Sequence, residues 1–106
     1  MDAGQLNKKI YIQQQTQDQN EYGEQETIWT TIATVYAKIK PLVGKEFIAA
    51  QQISTNITHD ITTRYLRCVK PKMRVLYNDR YFDILSVINP DEKREWLYLK
   101  CREVVL

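Results

Sequence analysis

Between residues 28 and 39 the chain alternates with period two. Thr31, Ala33, Val35, Ala37 and Ile39 fall on one side, and Ile32, Thr34, Tyr36 and Lys38 on the other. Successive side chains of a strand point to opposite faces, and β-branched and aromatic residues suit that geometry. A strand this long cannot stand alone in water and requires pairing partners. Pro41 closes it, because proline brings no N–H to a ladder.

The partners are legible along the chain. Residues 7–15 form a first strand with Ile10 and Ile12 on one face. In residues 57–66, Ile57, His59, Ile61, Thr63 and Tyr65 alternate with Thr58, Asp60, Thr62, Arg64 and Leu66. A short strand over 73–77 meets one over 80–88 through Asn78-Asp79, a two-residue turn that tolerates positive φ. The last strand spans 94–102, with Leu97, Leu99 and Cys101 opposite Trp96, Tyr98 and Lys100. Ile10, Ile12, Val35 and Ile39 are the expected core. Between the first two strands, Gln13-Gln14-Gln15, Gln17 and Gln19 lead into the turn-forming cluster of residues 18–23, so residues 14–26 read as a polar hairpin arm.

One stretch reads as helix. After Gly44, the residues Lys45-Glu46-Phe47-Ile48-Ala49-Ala50-Gln51-Gln52-Ile53 are rich in helix formers, with Phe47, Ala50 and Ile53 or Ser54 along one stripe. A helix of about three turns needs a docking surface. Ser54-Thr55-Asn56 reads as loop, and residues 43–58 become a helix–loop insertion. The expectation is a mainly β fold, a small six-stranded barrel or sandwich with one short inserted α-helix. A chain of 106 residues has room for a single domain, 1–106.

Composition narrows the function. A net charge of +2 is too small to announce nucleic-acid binding by itself. No apolar run spans a bilayer and the N-terminus has no signal-peptide core, so the expectation is a soluble protein of a reducing cytoplasm. There, Cys68 and Cys101, on separate expected strands, read as buried thiols rather than a disulfide. One histidine and two distant cysteines assemble no zinc-ligand spacing, and no cofactor is implied. His59 adjoins Asp60, but neighbours on a strand face opposite ways, and no nucleophile motif or second acid accompanies them. A structural histidine and a noncatalytic chain are expected. The triplet Asn56-Ile57-Thr58 is a glycosylation acceptor only in a secreted protein.

The order of the pieces resembles the phage head–tail joining family, also called head-closure or stopper proteins. Leu6-Asn7-Lys8-Lys9-Ile10-Tyr11-Ile12-Gln13 resembles its first strand. The residues Trp29-Thr30-Thr31-Ile32-Ala33-Thr34-Val35-Tyr36-Ala37-Lys38-Ile39-Lys40-Pro41, followed by Gly44 and Glu46, are similar to its pattern of tryptophan, Ala-x-Ile-x-Pro, then glycine and glutamate opening a helix. Ile61-Thr62-Thr63-Arg64-Tyr65, the hairpin Tyr77-Asn78-Asp79-Arg80-Tyr81-Phe82-Asp83-Ile84, and Leu97-Tyr98-Leu99-Lys100-Cys101-Arg102-Glu103 continue the match over nearly the whole chain. Two positions depart from it: Asn78-Asp79 where glycine is frequent, and Tyr36 where tryptophan is common.

The resemblance implies a virion protein of the connector, put together in the bacterial host cytoplasm. Its subunits form a ring below the portal and its adaptor, retain packaged double-stranded DNA, and offer a surface to a tail-completion or tail-tube terminator protein. It also implies that a segment of each subunit closes the channel. The first candidate is Val43, Gly44, Lys45, Glu46, Phe47, Gln51, Gln52, Ser54, Thr55 and Asn56; the second is the arm over residues 14–26. The isolated chain is expected to be monomeric. Arg64, Arg67, Lys70, Lys72, Arg74 and Arg80 are candidate contacts to DNA or a partner ring, or solvated strand edges. Trp29, Tyr36 and Trp96 are candidate interface aromatics, or core. A different class, a small nucleic-acid-binding barrel, rests on basic strands interleaved with tyrosine.

Overall fold

The computed structural model describes residues 3–53 and 56–104. Six strands, β1 (Lys8–Gln19), β2 (Gln25–Pro41), β3 (His59–Arg64), β4 (Arg74–Tyr77), β5 (Arg80–Ile88) and β6 (Trp96–Val104), close into an antiparallel barrel in the order β1-β2-β3-β6-β5-β4. The barrel, not the sandwich, is therefore the fold. One helix, α1 (Gly44–Ile53), lies between β2 and β3. No helix among the described residues is long and apolar enough to cross a membrane.

The core lines the inside of the barrel. Ile10, Ile12, Ile61, Val75, Phe82, Ile84, Leu97, Leu99 and Cys101 are buried there, one set of alternate positions from five of the six strands. On β2 the expected core residues Val35 and Ile39 are only partly buried, and Ala37 between them is the enclosed one. The register explains it. Ala37 pairs with Lys8 of β1 and with Thr63 of β3, whereas Val35 pairs only with Ile10 and Ile39 only with Ile61. Full burial on this strand comes where both flanks are occupied.

Two register shifts set the barrel's shape. Ile12 pairs with Ala33 but Gln13 pairs with Thr31, which leaves Ile32 unpaired at the point where β1 and β2 leave the barrel. In β5 a shift between Ile84 and Ser86 leaves Leu85 unpaired, and Leu85 packs against a second small cluster of Leu42, Ala50 and Ile57. Such bulges bend a strand and sharpen its twist. Asn78 (φ 44°) and Asp79 (φ 64°) both take left-handed backbone, as the tight β4–β5 hairpin requires.

The first strand runs past its expected end at residue 15 to Gln19, and β2 begins at Gln25. Beyond the bulge this hairpin leaves the barrel wall, because β1 pairs with β4 only over Tyr11, Ile12 and Gln13. The molecule measures 49 × 27 × 26 Å, with a radius of gyration of 14.9 Å. A compact chain of this length has a radius of about 13 Å.

Three other expectations change. Phe47 does not share a docked stripe: α1 is anchored through Ala50, and Phe47 is 41% exposed. Cys68 is exposed in a turn, not buried on a strand, because β3 ends at Arg64 and Val69 takes the inward place. The last strand begins at Trp96, after a connection in which Asp91, Glu92 and Arg94 hold positive φ and break the extended run. Cys101 is buried as expected; burial pushes its thiol far up, which keeps it protonated and unreactive.

Candidate functional site

Beyond the bulge the arm is built from paired polar residues. Gln13 and Gln17 donate from Nε2 to Thr31 Oγ1 and Thr27 Oγ1 across the ladder, each at 3.2 Å, and Thr16 Oγ1 donates to Ile28 O. At the tip, Asn20 Oδ1 accepts from the N–H groups of Tyr22 (2.9 Å) and Glu24 (3.0 Å), an Asx-type turn completed by Gly23 at φ 77°. Tyr22 stands there 84% exposed. Among the described residues, Asp18, Glu21, Glu24 and Glu26 are all exposed and none has an ion-pair partner.

The six basic residues of the sequence do not form one surface. Arg74 is built into the arm's base: its guanidinium lies 4.2 Å from the ring centres of both Trp29 and Tyr81, and its Nε donates to Gln13 Oε1 at 2.7 Å. Arg80 chelates Glu103 through Nε (2.9 Å) and a terminal nitrogen (3.0 Å) and lies over the Phe82 ring. Arg64 lies over Trp96 at 5.5 Å. Arg67, Lys70 and Lys72 are exposed on the β3–β4 loop, with no side-chain partner among the described residues. That loop is nonetheless fixed. Val69 plugs into the barrel core, and the N–H of Lys72, held at φ 75°, donates to Ile84 O at 3.1 Å. The loop flanks the arm's base, and two grooves open there. One of about 480 Å³ is lined by Gln15, Trp29, Pro71, Lys72, Met73, Asp83, Ile84 and Leu85, and one of about 420 Å³ by Gln14, Ile32, Arg67, Cys68, Lys70 and Met73.

Of the three aromatic candidates, Trp29 and Trp96 are half-buried beside arginines, and Tyr36 stands 59% exposed on the outer face of β2. One face of Trp29 and one of Tyr81 are therefore already occupied by Arg74, which makes them poor platforms for stacking bases.

The helix–loop insertion is loosely held. Lys40 Nζ and Glu46 Oε1 pair at 2.8 Å at the start of α1, and the pair raises the Lys40 ammonium. Gln51 Nε2 donates to Ile57 O at 2.8 Å. Val43 (67% exposed), Ile48 (62%) and Phe47 stand out from the body. Gly44, Lys45, Glu46, Gln52 and Asn56 are exposed as well, while Ser54 and Thr55 lie outside the described residues. The sequence reading missed Ile48 and Tyr22. Neither has a residue-type signal; only the fold shows that nothing covers them.

His59 is nearly buried at one end of the barrel, edge-on to Phe82 with ring centres 5.0 Å apart. Glu103 N–H donates to Thr58 Oγ1 at 2.8 Å, and Thr58 Oγ1 lies 2.9 Å from His59 Nδ1, a hydrogen bond whose direction follows the tautomer of the ring. Burial lowers the His59 pKa against the opposing pull of Glu103, whose carboxylate is 3.8 Å away and is itself shared with Arg80. The ring is enclosed between Phe82 and Thr58, and the Thr58 hydroxyl oxygen beside it accepts from the Glu103 N–H. Among the described residues no group of three or more His, Cys, Asp or Glu side chains could hold a metal ion.

Several known proteins share this architecture. The solution structure of protein SF1141 from Shigella flexneri 2a superposes with a TM-score of 0.76 at 25% identity, covering 97% of this chain and 96% of that one. A chain of the virion of a native gene transfer agent particle superposes with a TM-score of 0.63 at 20% identity, covering 95% and 97%. No curated protein matches the chain in sequence. The sequence profile of the phage head completion proteins matches residues 1–104, so the chain belongs to the phage head completion protein family.

Proposed function

We propose that this protein is a head-closure, or stopper, component of the tailed-phage connector. Its subunits form a ring below the portal-bound adaptor ring, hold packaged double-stranded DNA in the head, and present the surface that the tail-completion or tail-tube terminator protein binds. The reading is carried by membership of the phage head completion family over residues 1–104. The same fold within a gene transfer agent virion agrees with it. The work is assembly and gating, with no bond made or broken, and it takes place in the virion.

We further propose that residues 43–58 close the channel. A segment that must change partners cannot be deeply packed, since moving elements come from the low-stability end of a fold. Here Val43, Phe47 and Ile48 are exposed apolar residues, and α1 touches the body mainly through Ala50. In a ring these side chains would meet their counterparts about the axis and lose their exposure to water. The arm over residues 14–26 is left for a different contact.

Electron microscopy of the purified protein mixed with a portal–adaptor complex tests the reading. A ring at the adaptor's distal face, with 43–58 converging on the axis, is the expected outcome. Failure to bind that complex, together with tight monomeric binding of single-stranded oligonucleotides, would replace it with a nucleic-acid-binding barrel.

A further inference from the structure

We propose that the acidic tip of the β1–β2 arm of one copy docks on the β3–β4 loop and its adjoining groove in the next copy. The proposal deepens the ring reading, and rests on it for the closing of successive contacts into a ring.

Charge is segregated along the sequence. Residues 14–30 carry Asp18, Glu21, Glu24 and Glu26 and no basic residue, while residues 64–74 carry Arg64, Arg67, Lys70, Lys72 and Arg74 and no acid. A net charge of +2 hides this division. The two regions cannot satisfy each other within one subunit. The loop shares its grooves with Gln14 and Gln15, whereas Glu21 and Glu24 lie beyond Gln19, past a ladder that runs without a register shift from Gln13 to Gln19. At about 3.3 Å per residue the tip is roughly 20 Å from that base, beyond side-chain reach. Each copy is left with one unpaired acidic end and one unpaired basic loop.

The arm's open edges are guarded by acidic side chains alone. β2 pairs with β3 only from Ala37 to Pro41, so over residues 25–36 its outer edge is open, and β1 is open beyond Gln13. No lysine or proline stands on residues 14–30 to blunt them. Two arms edge to edge would bring like charges together, which disfavours a symmetric arm-to-arm pair. Two complementary patches at different places on one molecule instead produce head-to-tail contacts, which close into a ring when the rotation allows.

Shape agrees with charge. Tyr22 projects from the tip, and the groove of about 480 Å³ beside Lys72 is lined with Trp29, Pro71, Met73 and Leu85. The one acid lining that groove, Asp83, is already paired with Arg102 at 2.8 Å, so Lys72 is the unpaired charge there, and an aromatic anchor beside such a charge suits an interface centre. The receiving loop is held in advance by buried Val69 and by the Lys72–Ile84 hydrogen bond, so little ordering is lost on docking.

The test needs no portal, so its failure is distinguishable from failure of the stopper reading. In a Cys68→Ser background, one population carries Glu24→Cys and a second carries Lys72→Cys. The two are mixed at high concentration with a short bis-maleimide. The expected result is heterodimer cross-linking at least tenfold above a control pair of Glu24→Cys with Glu46→Cys, falling at high salt. Arg67→Glu with Lys70→Glu added to the Lys72→Cys receiving copy should abolish it, and Glu21→Lys with Glu26→Lys in the donor copy should restore it. Cross-linking no better than the control pair, or undiminished by loop reversal, overturns the proposal. A chain that forms a ring on the portal–adaptor complex yet fails this test keeps the stopper reading and loses the arm-to-loop contact.

Discussion

Ile12 and Gln17 lie on the same strand, and their surroundings differ completely. Ile12 is paired on both sides, with Ala33 and Val75, and its side chain is sealed among the buried residues of the barrel. Gln17 is paired only with Thr27 and stands in water. The backbone geometry is continuous across the bulge at Ile32, but the source of stability is not. In the barrel the ladder is a by-product of burying apolar side chains; in the arm, ladder and cross-strand polar pairs are all there is. A lone two-stranded hairpin is marginal in water, so the arm borrows its order from the barrel that holds its base. A region of that kind can alter its contacts without disturbing the fold.

The sharpest way to break this comparison is to damage each region in turn. Phe82 is the largest fully buried side chain, and Phe82→Ala should cost about 3–5 kcal/mol, read as a fall in the urea midpoint at constant slope. Joining Gln15 to Trp29, cross-strand partners, through an Asn-Gly turn removes the outer arm altogether. That deletion should change stability by less than about 1 kcal/mol, in the range of surface changes. A comparable loss from both variants would show that the arm supports the barrel after all.

The same division governs how much could be seen in the sequence. Alternation in β2, β3 and β6 is visible because one face is buried, and burial imposes period two on residue choice. The Asn78-Asp79 hairpin is visible because few residues accept positive φ. The extension of β1 to Gln19 was not, since glutamine has no β preference and gains its place from Thr27 and Thr31, far along the chain. Closure into a barrel depends on β1 meeting β4 and β3 meeting β6, pairings that no local pattern encodes. The basic run from Arg64 to Arg80 was legible as residues but not as a surface. Its members divide according to neighbours such as Trp29, Tyr81 and Glu103, which only the fold supplies. Exposure of Phe47 and Cys68 escaped for a related reason: an apolar side chain announces a preference for burial, and the fold determines whether a partner is there.

Arg74 marks the border between the two regions and offers a finer test. It touches Trp29 on β2, Tyr81 on β5 and Gln13 on β1, so one cation ties the arm's base to the barrel wall. A partly desolvated cation over an aromatic face contributes about 0.5–2 kcal/mol. Arg74→Ala should therefore lower stability by about 1–2 kcal/mol, less than Phe82→Ala. Hydrogen exchange should quicken over residues 14–30 while amides around Ile61 and Leu99 keep their protection. Arg74→Lys should recover only part of this, because an ammonium cannot spread flat between two rings while reaching Gln13. Uniform loss of protection across barrel and arm would show that the border is not where the bulge suggests.

The smallest effect is expected at the barrel end opposite in character to the arm, where polar groups are buried rather than solvated. Burial lowers the His59 pKa below its ordinary 6.5; Arg80 lowers it further, and Glu103 and Asp60 only partly oppose the shift. The folded state therefore binds fewer protons than the unfolded chain as pH falls through the ordinary histidine range, and stability declines with it. Glu103, held below its ordinary 4.5 chiefly by its hydrogen bonds to Arg80, contributes stability that is present above that value and lost as pH falls through its folded pKa. Both effects are acid-destabilising, but their windows are separate, so a titration of the urea midpoint between pH 7.5 and 5.5 reads His59 alone among these groups. His59→Gln, which keeps a polar side chain near Thr58 but carries no titrating ring, should flatten that slope. Arg80→Ala should leave a slope above pH 5.5 and steepen the loss below it less than in the wild type, because Glu103 would then titrate near its ordinary value in both states. If the wild-type midpoint is flat from pH 7.5 to 5.5, the ring is solvated as freely as the arm, and the contrast between a sealed barrel and an open arm fails at this end.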